Sequence, residues 1–489
     1  MQFVRHAFAR NVGLRNWADL MKPTPPRDPV GVCAIRFLKA VVEGQTDRAM
    51  ELLGTHPELA THDVHCATAV GNGTALRGFL ARDPSSAFRP TMPDEAAPLI
   101  YAVQADLKTR LQVSESDRCE VVRILLDAGA SPNTSLPLPN STSRIPALYF
   151  ACDAGDEPVA RLLLERGADP NDGESVYHAA ERNHRACLEL LVTHGADLSS
   201  SHAEWGNTPL YFLASYREQG PTTASVTLGM EWLLEHGADP NVASHGKGAG
   251  EGNPGRAELP LHRIASSGRL ASVARLLVEH GALVDAVRWD GSTAYTLAIR
   301  SGNATVADYL ASVGADRTRV TVFDRLRGAC ESANDGEARR IIAAHPDAMN
   351  SLSREDAQAL GMAVAEGRTE AAGLMVELGW PLTAEGEWGG TPLHWAAWNG
   401  RVELTRLLIK HGAPINLRDS AYGSSPIAWA CHGSTNSGHG VDADYVAIVD
   451  QLLDAGATRP ESYNKWDEAP ESMARPVVVG ALKERGFAG

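Results

Sequence analysis

The chain has 489 residues, 44% of them apolar, and a formal net charge of −15. That acidity disfavours nucleic acid and anionic membrane as general partners, and with no run of about 18 apolar residues no membrane-spanning helix is expected. The seven cysteines, at 33, 66, 119, 152, 187, 330 and 431, stand singly without a C-x-x-C spacing, the pattern of free thiols in a reducing, cytoplasmic compartment and not of a disulfide framework.

Residues 1–30 carry Arg5, Arg10 and Arg15 and four prolines (Pro23, Pro25, Pro26, Pro29); they read as an extended N-terminal arm with no apolar signal region. Residues 34–60 predict a helix pair that turns at Gly44 and closes at His56-Pro57, and 61–90 a second pair ending near Asp83-Pro84. From Ala97 the units sharpen, ending at Ala130, Ala168, Ala196, Ala238, Ala282 and Ala315. The pattern then starts again. Residues 323–348 mirror the first pair down to His345-Pro346, the next pair ends at Gly379, and units at 388–416 and 421–458 follow. Residues 460–489 close the chain with a short helix expected around Pro476–Arg485. Four stretches interrupt the rhythm: 105–118, 216–228 and 433–444 fall between paired helices, and the glycine-rich 242–258 lengthens a turn, where mobility is expected.

The best-defined unit is Gly390–Asn416. Pro392 suits a first helical turn, where its missing N–H costs nothing. Ala396 and Ala397 admit a close neighbour, and Gly400 ends the helix. Leu404, Leu407 and Leu408 form the stripe of a second helix, stopped by Gly412. Two such helices cannot bury their stripes alone; they need neighbours.

Thr391-Pro392-Leu393-His394, with weaker copies at Thr208-Pro209-Leu210 and Pro260-Leu261-His262, resembles the signature of the ankyrin-repeat family. Recurring stops at Gly129, Gly167, Gly195, Gly237, Gly281, Gly314, Gly412 and Gly456 extend the resemblance along most of the chain. It implies an all-α repeat solenoid of helix–turn–helix units with β-turn fingers: about eight repeats over residues 31–318, about four over 319–459, and a C-terminal cap over 460–489. It also implies a scaffold that binds a protein or peptide in a concave groove, although a fold names no partner.

Catalytic strings are wanting: there is no Walker A, H-E-x-x-H or G-x-S-x-G. Gly250, Gly252 and Gly255 match a dinucleotide string without the strand it requires. Of the seventeen histidines, the repeat places the most conspicuous: His394 and His262 hold turn–helix junctions, and His194, His236, His280 and His411 precede stop glycines. His432, His439 and Asp442 form a metal-type cluster that lacks a fourth ligand. No catalytic residue, metal or cofactor is therefore assigned.

Mapping the family's ligand-facing positions, finger tips and first-helix ends, marks Trp205, Trp289, Trp388, Trp398, Asn399, Tyr216, Arg182, Asp153, Glu181 and Arg300 as partner-binding. Trp395 and Trp429 fall at core positions. Interleaved acids point to a partner with basic and apolar groups, bound by a monomer. Two other readings compete: an enzyme or enzyme component with a pocket near the insertions, and a bacterial effector acting on a host protein, in line with the Ala/Arg/Gly-rich composition.

Overall fold

The computed structural model describes residues 30–91, 94–138, 143–216, 222–246, 256–268, 270–350 and 352–487. The N-terminal arm before Val30 and the Gly250, Gly252, Gly255 string lie outside the described residues. The architecture is an all-α repeat solenoid of paired short helices. The chain divides into two compact units: one runs to Ser267 and includes Ser272–Gly291, the other takes Gly268–Ala271 and everything from Ser292.

In the second unit the unit seen in sequence folds as the helices Pro392–Trp398 and Val402–Lys410. Thr391, extended at φ −80° and ψ 170°, leads into the first, and Pro392 takes its first position. Gly412 ends the second with φ +87°, the left-handed conformation that only glycine adopts without strain. Leu393, Ala396, Ala397, Leu404 and Leu408 are buried, whereas Leu407 is only half-buried. Burying a leucine contributes about 1.5–3 kcal/mol, and here the burial comes from the adjacent repeats.

Small residues set how closely repeats stack. Pro392–Trp398 packs on Pro426–Asn436, and a Cβ built on Gly433 would collide with the backbone carbonyl of Trp398. In the first unit Gly229 meets the Ala180 carbonyl in the same way. The restart at residue 323 is legible in three dimensions: Val30–Val42, Thr46–Thr55 and the 3-10 turn Pro57–Thr61 have counterparts in Val322–Glu331, Asp335–Ala344 and Pro346–Met349.

Asparagines stitch successive fingers. Asn133 donates to the Gly167 carbonyl at 3.0 Å and accepts from Asp169 N–H at 2.8 Å; Asn171 does the same with Gly195 and Asp197. Asn241 repeats it with Gly281 and Leu283.

The described parts of the interruptions include helices and a bridge. Residues 105–110 form a helix, Pro426–Asn436 runs into the 433–444 stretch, and Asp442–Asp454 begins inside it. Thr222–Glu235 absorbs the end of the 216–228 stretch. The long finger has a paired base, Ser244 opposite Glu258, and its tip lies outside the described residues. A two-stranded finger, Ser135–Pro137 against Arg144–Pro146, has no counterpart in the sequence reading. The closing helix Pro476–Glu484 buries Val478 and Leu482 against Asp442–Asp454.

Candidate functional site

In the second unit two adjacent first helices carry aromatic rings at matching positions. Trp395 and Trp398, three residues apart on Pro392–Trp398, share a helix face, as do Trp429 and His432 on Pro426–Asn436. Stacking the helices brings the sets together. Trp395 and Trp429 meet edge to face at 5.3 Å, Trp398 and Trp429 at 5.9 Å, and Trp398 and His432 at 5.1 Å. Trp388, at the preceding finger, stacks on Trp395 at 5.6 Å and holds a left-handed backbone, φ +56°. For a non-glycine residue that costs about 1–3 kcal/mol, strain of the kind found at ligand-binding positions.

Trp388, Trp398, Trp429 and His432 line a cleft of about 610 Å³, completed by Tyr422, Trp466 and Glu468 from the finger and terminal segment. Trp388 is 46% exposed and Trp466 59%, so the cleft opens to solvent between large apolar faces. Trp429 is anchored, its indole N–H donating to Asp419 at 2.9 Å. Glu468 accepts from the Asn464 amide at 2.7 Å through one carboxylate oxygen. Partial burial lowers the His432 pKa, with Glu468 pulling the other way. Lys465 stands at the rim, its ammonium 4.7 Å from the Trp466 ring centre and 5.7 Å from that of Tyr422, donating to the Ala421 carbonyl at 2.8 Å.

The first unit builds a charged cluster from the same helix positions, in which Glu181, expected from sequence to face a partner, is buried at 8% exposure. His178 lies between Glu181 at 2.8 Å and Glu174 at 3.4 Å. Burial lowers its pKa, but the two carboxylates outweigh burial and raise it to about 9. Burial would raise the Glu174 carboxyl, yet His178 and His202 hold it down at about 2. Tyr216 donates its hydroxyl to Glu181 at 2.6 Å, and burial, then Glu181, pushes the phenol's pKa upward. Tyr149 and Phe212 flank His178 edge to face. Arg182 pairs with Asp153 at 3.1 Å.

The ten residues marked from sequence thus fall into distinct settings. Trp388 and Trp398 share the cleft, and Tyr216, Glu181, Arg182 and Asp153 share the charged network. Trp205 is an exposed finger residue whose backbone N–H donates to His202 Nδ1. Trp289 has the Arg256 guanidinium 4.5 Å over its ring. Arg300 is turned inward onto buried Asp324 at 2.7 Å. Asn399 is 5% exposed and donates to the Ala365 carbonyl. In the 432–442 cluster, Asp442 pairs with Arg475 at 2.7 Å, and no group of three metal-type ligands forms among the described residues. Tyr422, Trp466 and Glu468 were not singled out in sequence, because they lie in a finger and a terminal segment where the repeat pattern assigns no role.

Comparison with known proteins follows the same outline. The family model described as "Ankyrin repeats (3 copies)" matches residues 148–244, 229–321, 326–419 and 360–458. "Ankyrin repeat and SOCS box protein 6" from Pongo abelii and from Homo sapiens is 33% identical over 191 residues, 37% of this chain and 40% of that protein. Human Rabankyrin-5 is 26% identical over 284 residues, 56% of this chain and 22% of its own length. The chain therefore spans less than half the length of these curated relatives. Among solved structures, the human ASB11 ankyrin repeat domain aligns with a TM-score of 0.38 at 22% identity, over 52% of this chain and 99% of that one.

Proposed function

The chain belongs to the ankyrin-repeat family, and on that premise we propose that it is a non-enzymatic scaffold whose second unit anchors a segment of a partner protein in the tryptophan cleft. The observation that carries this reading is the cleft itself. Large apolar rings stand in solvent around a cavity of about 610 Å³, and tryptophan is the residue type most enriched at binding hot spots. Exposed aromatic faces on this scale cost solubility, so a partner that covers them is the physical rationale for keeping them. The Glu468 carboxylate in the lining favours a partner with basic as well as apolar groups. The animal relatives named above lend nothing to a bacterial source.

The test is affinity capture from native lysate with the wild-type chain and a folded Trp388→Ala/Trp398→Ala variant, read by mass spectrometry. A protein retained by the wild type and lost by the variant supports the scaffold. Identical capture by both, or a small molecule copurifying instead, removes it.

A further inference from the structure

We propose that the cleft of the second unit receives an arginine side chain of the partner segment, its guanidinium stacked on the tryptophan faces and paired to Glu468. This deepens the protein-binding reading above and rests on it. Several aromatic rings line the cleft, and each presents a negative face that attracts a cation within about 6 Å of its centre. Among the described lining residues Glu468 is the only aspartate, glutamate, lysine or arginine. One Glu468 oxygen is held by Asn464, which fixes the carboxylate and leaves its other oxygen to accept from a guest.

The rings already attract cations within this chain: Lys465 rides on Trp466 and Tyr422 from the rim. It does not line the cavity, so it is a neighbour and a competitor of the guest charge, not an occupant. Arginine fits better than lysine because its guanidinium is flat and weakly hydrated. It stacks while its N–H edge stays free for Glu468 and for water entering past Trp388 and Trp466, the exposed rings of the rim. An ammonium buried among rings would keep three donors and meet one carboxylate.

The probes are acetyl-Leu-Arg-Leu-amide, its citrulline counterpart of the same shape without the charge, and the lysine counterpart. Each is titrated into the full chain and followed by tryptophan fluorescence and calorimetry. The arginine peptide is expected to bind about tenfold more tightly than the citrulline one, a loss of about 1.4 kcal/mol. Glu468→Gln should weaken the arginine peptide severalfold and leave the citrulline peptide unchanged. Lys465→Met, which keeps the stem and removes the competing charge, should strengthen the arginine peptide. Both side chains are exposed, so these variants keep the fold, and near-UV circular dichroism checks it.

Equal binding of the arginine and citrulline peptides, an unchanged Glu468→Gln, a lysine peptide as tight as the arginine one, or no binding up to about 10 mM each overturns the arginine assignment. If capture by the tryptophan pair still differs in those cases, the scaffold reading survives its loss. If capture is also unchanged, both fall.

Discussion

Asn416 donates its side-chain amide to the carbonyl of Gly456 at 2.9 Å, forty residues further along the chain, while its oxygen accepts from Thr458 N–H at 2.9 Å. One side chain thus satisfies a helix-terminal carbonyl and a finger N–H of the next repeat, groups that the helix stop would otherwise leave to water. Asn416→Ala should cost about 1–2 kcal/mol, with faster amide hydrogen exchange at Thr458 as its local mark. Exchange unchanged at Thr458 would show that the stitch contributes nothing.

Leu408→Ala should destabilise the second unit by about 2–5 kcal/mol, since the side chain is fully buried. Leu407→Ala should cost clearly less, because Leu407 is half-buried. Hydrogen exchange should rise in the adjacent repeats and little beyond them. Uniform acceleration over the whole chain would contradict a nearest-neighbour stack.

By propensity alone, alanine at a mid-helix glycine gains about 0.5–1 kcal/mol. Gly433→Ala is expected to lose stability instead, because the new methyl would meet the Trp398 carbonyl on the first helix of the preceding repeat. A melting temperature at or above wild type would mean the helices separate at no cost.

His394 and His178 should respond to pH with opposite signs. Thr391 N–H donates to His394 Nδ1, whose Nε2 donates to the Ser424 carbonyl at 3.0 Å. Burial lowers its pKa to about 4. The unfolded chain then takes up the proton first, so this contribution is present above about pH 6.5 and is lost as pH falls to about 4. The difference amounts to about 3 kcal/mol at most. His178 is raised to about 9; its contribution is full below about pH 6.5 and is lost as pH rises through about 9. Titration of the two imidazoles by NMR checks both directions, and a His394 that titrates near 6.5 would refute the first.

Trp398→Ala should abolish capture of the partner. A moderate fall in melting temperature is also expected, because the half-buried ring packs on Trp429 and His432. Trp388→Ala, at the more exposed ring, should separate the two effects, weakening capture with little change in melting temperature.

Much of this architecture is written locally. Proline at the first helical turn, leucine at 3.6-residue spacing and glycine at a left-handed stop act within a few residues, so the helix pairs and their ends could be read along the chain. The same locality explains His394: its bond to Thr391 is a sequence neighbour's, while its bond to Ser424 belongs to the next repeat. Asn399 and Arg300 show the limit. Both stand at first-helix ends where exposure was expected, yet one turns under the preceding helix and the other onto Asp324, because rotamer and inter-repeat packing decide which way a terminal side chain faces.

The sequence by itself determined the repeating unit, the all-α class and the tryptophans at fingers and helix ends, since periodicity and turn chemistry are short-range. Only the tertiary structure decided that Trp388, Trp398 and Trp429 share a cleft with Tyr422, Trp466 and Glu468. Those residues come from successive repeats and a closing segment that no period describes, and their meeting depends on how closely the helices stack. That distance is set by Gly433 against the carbonyl of Trp398.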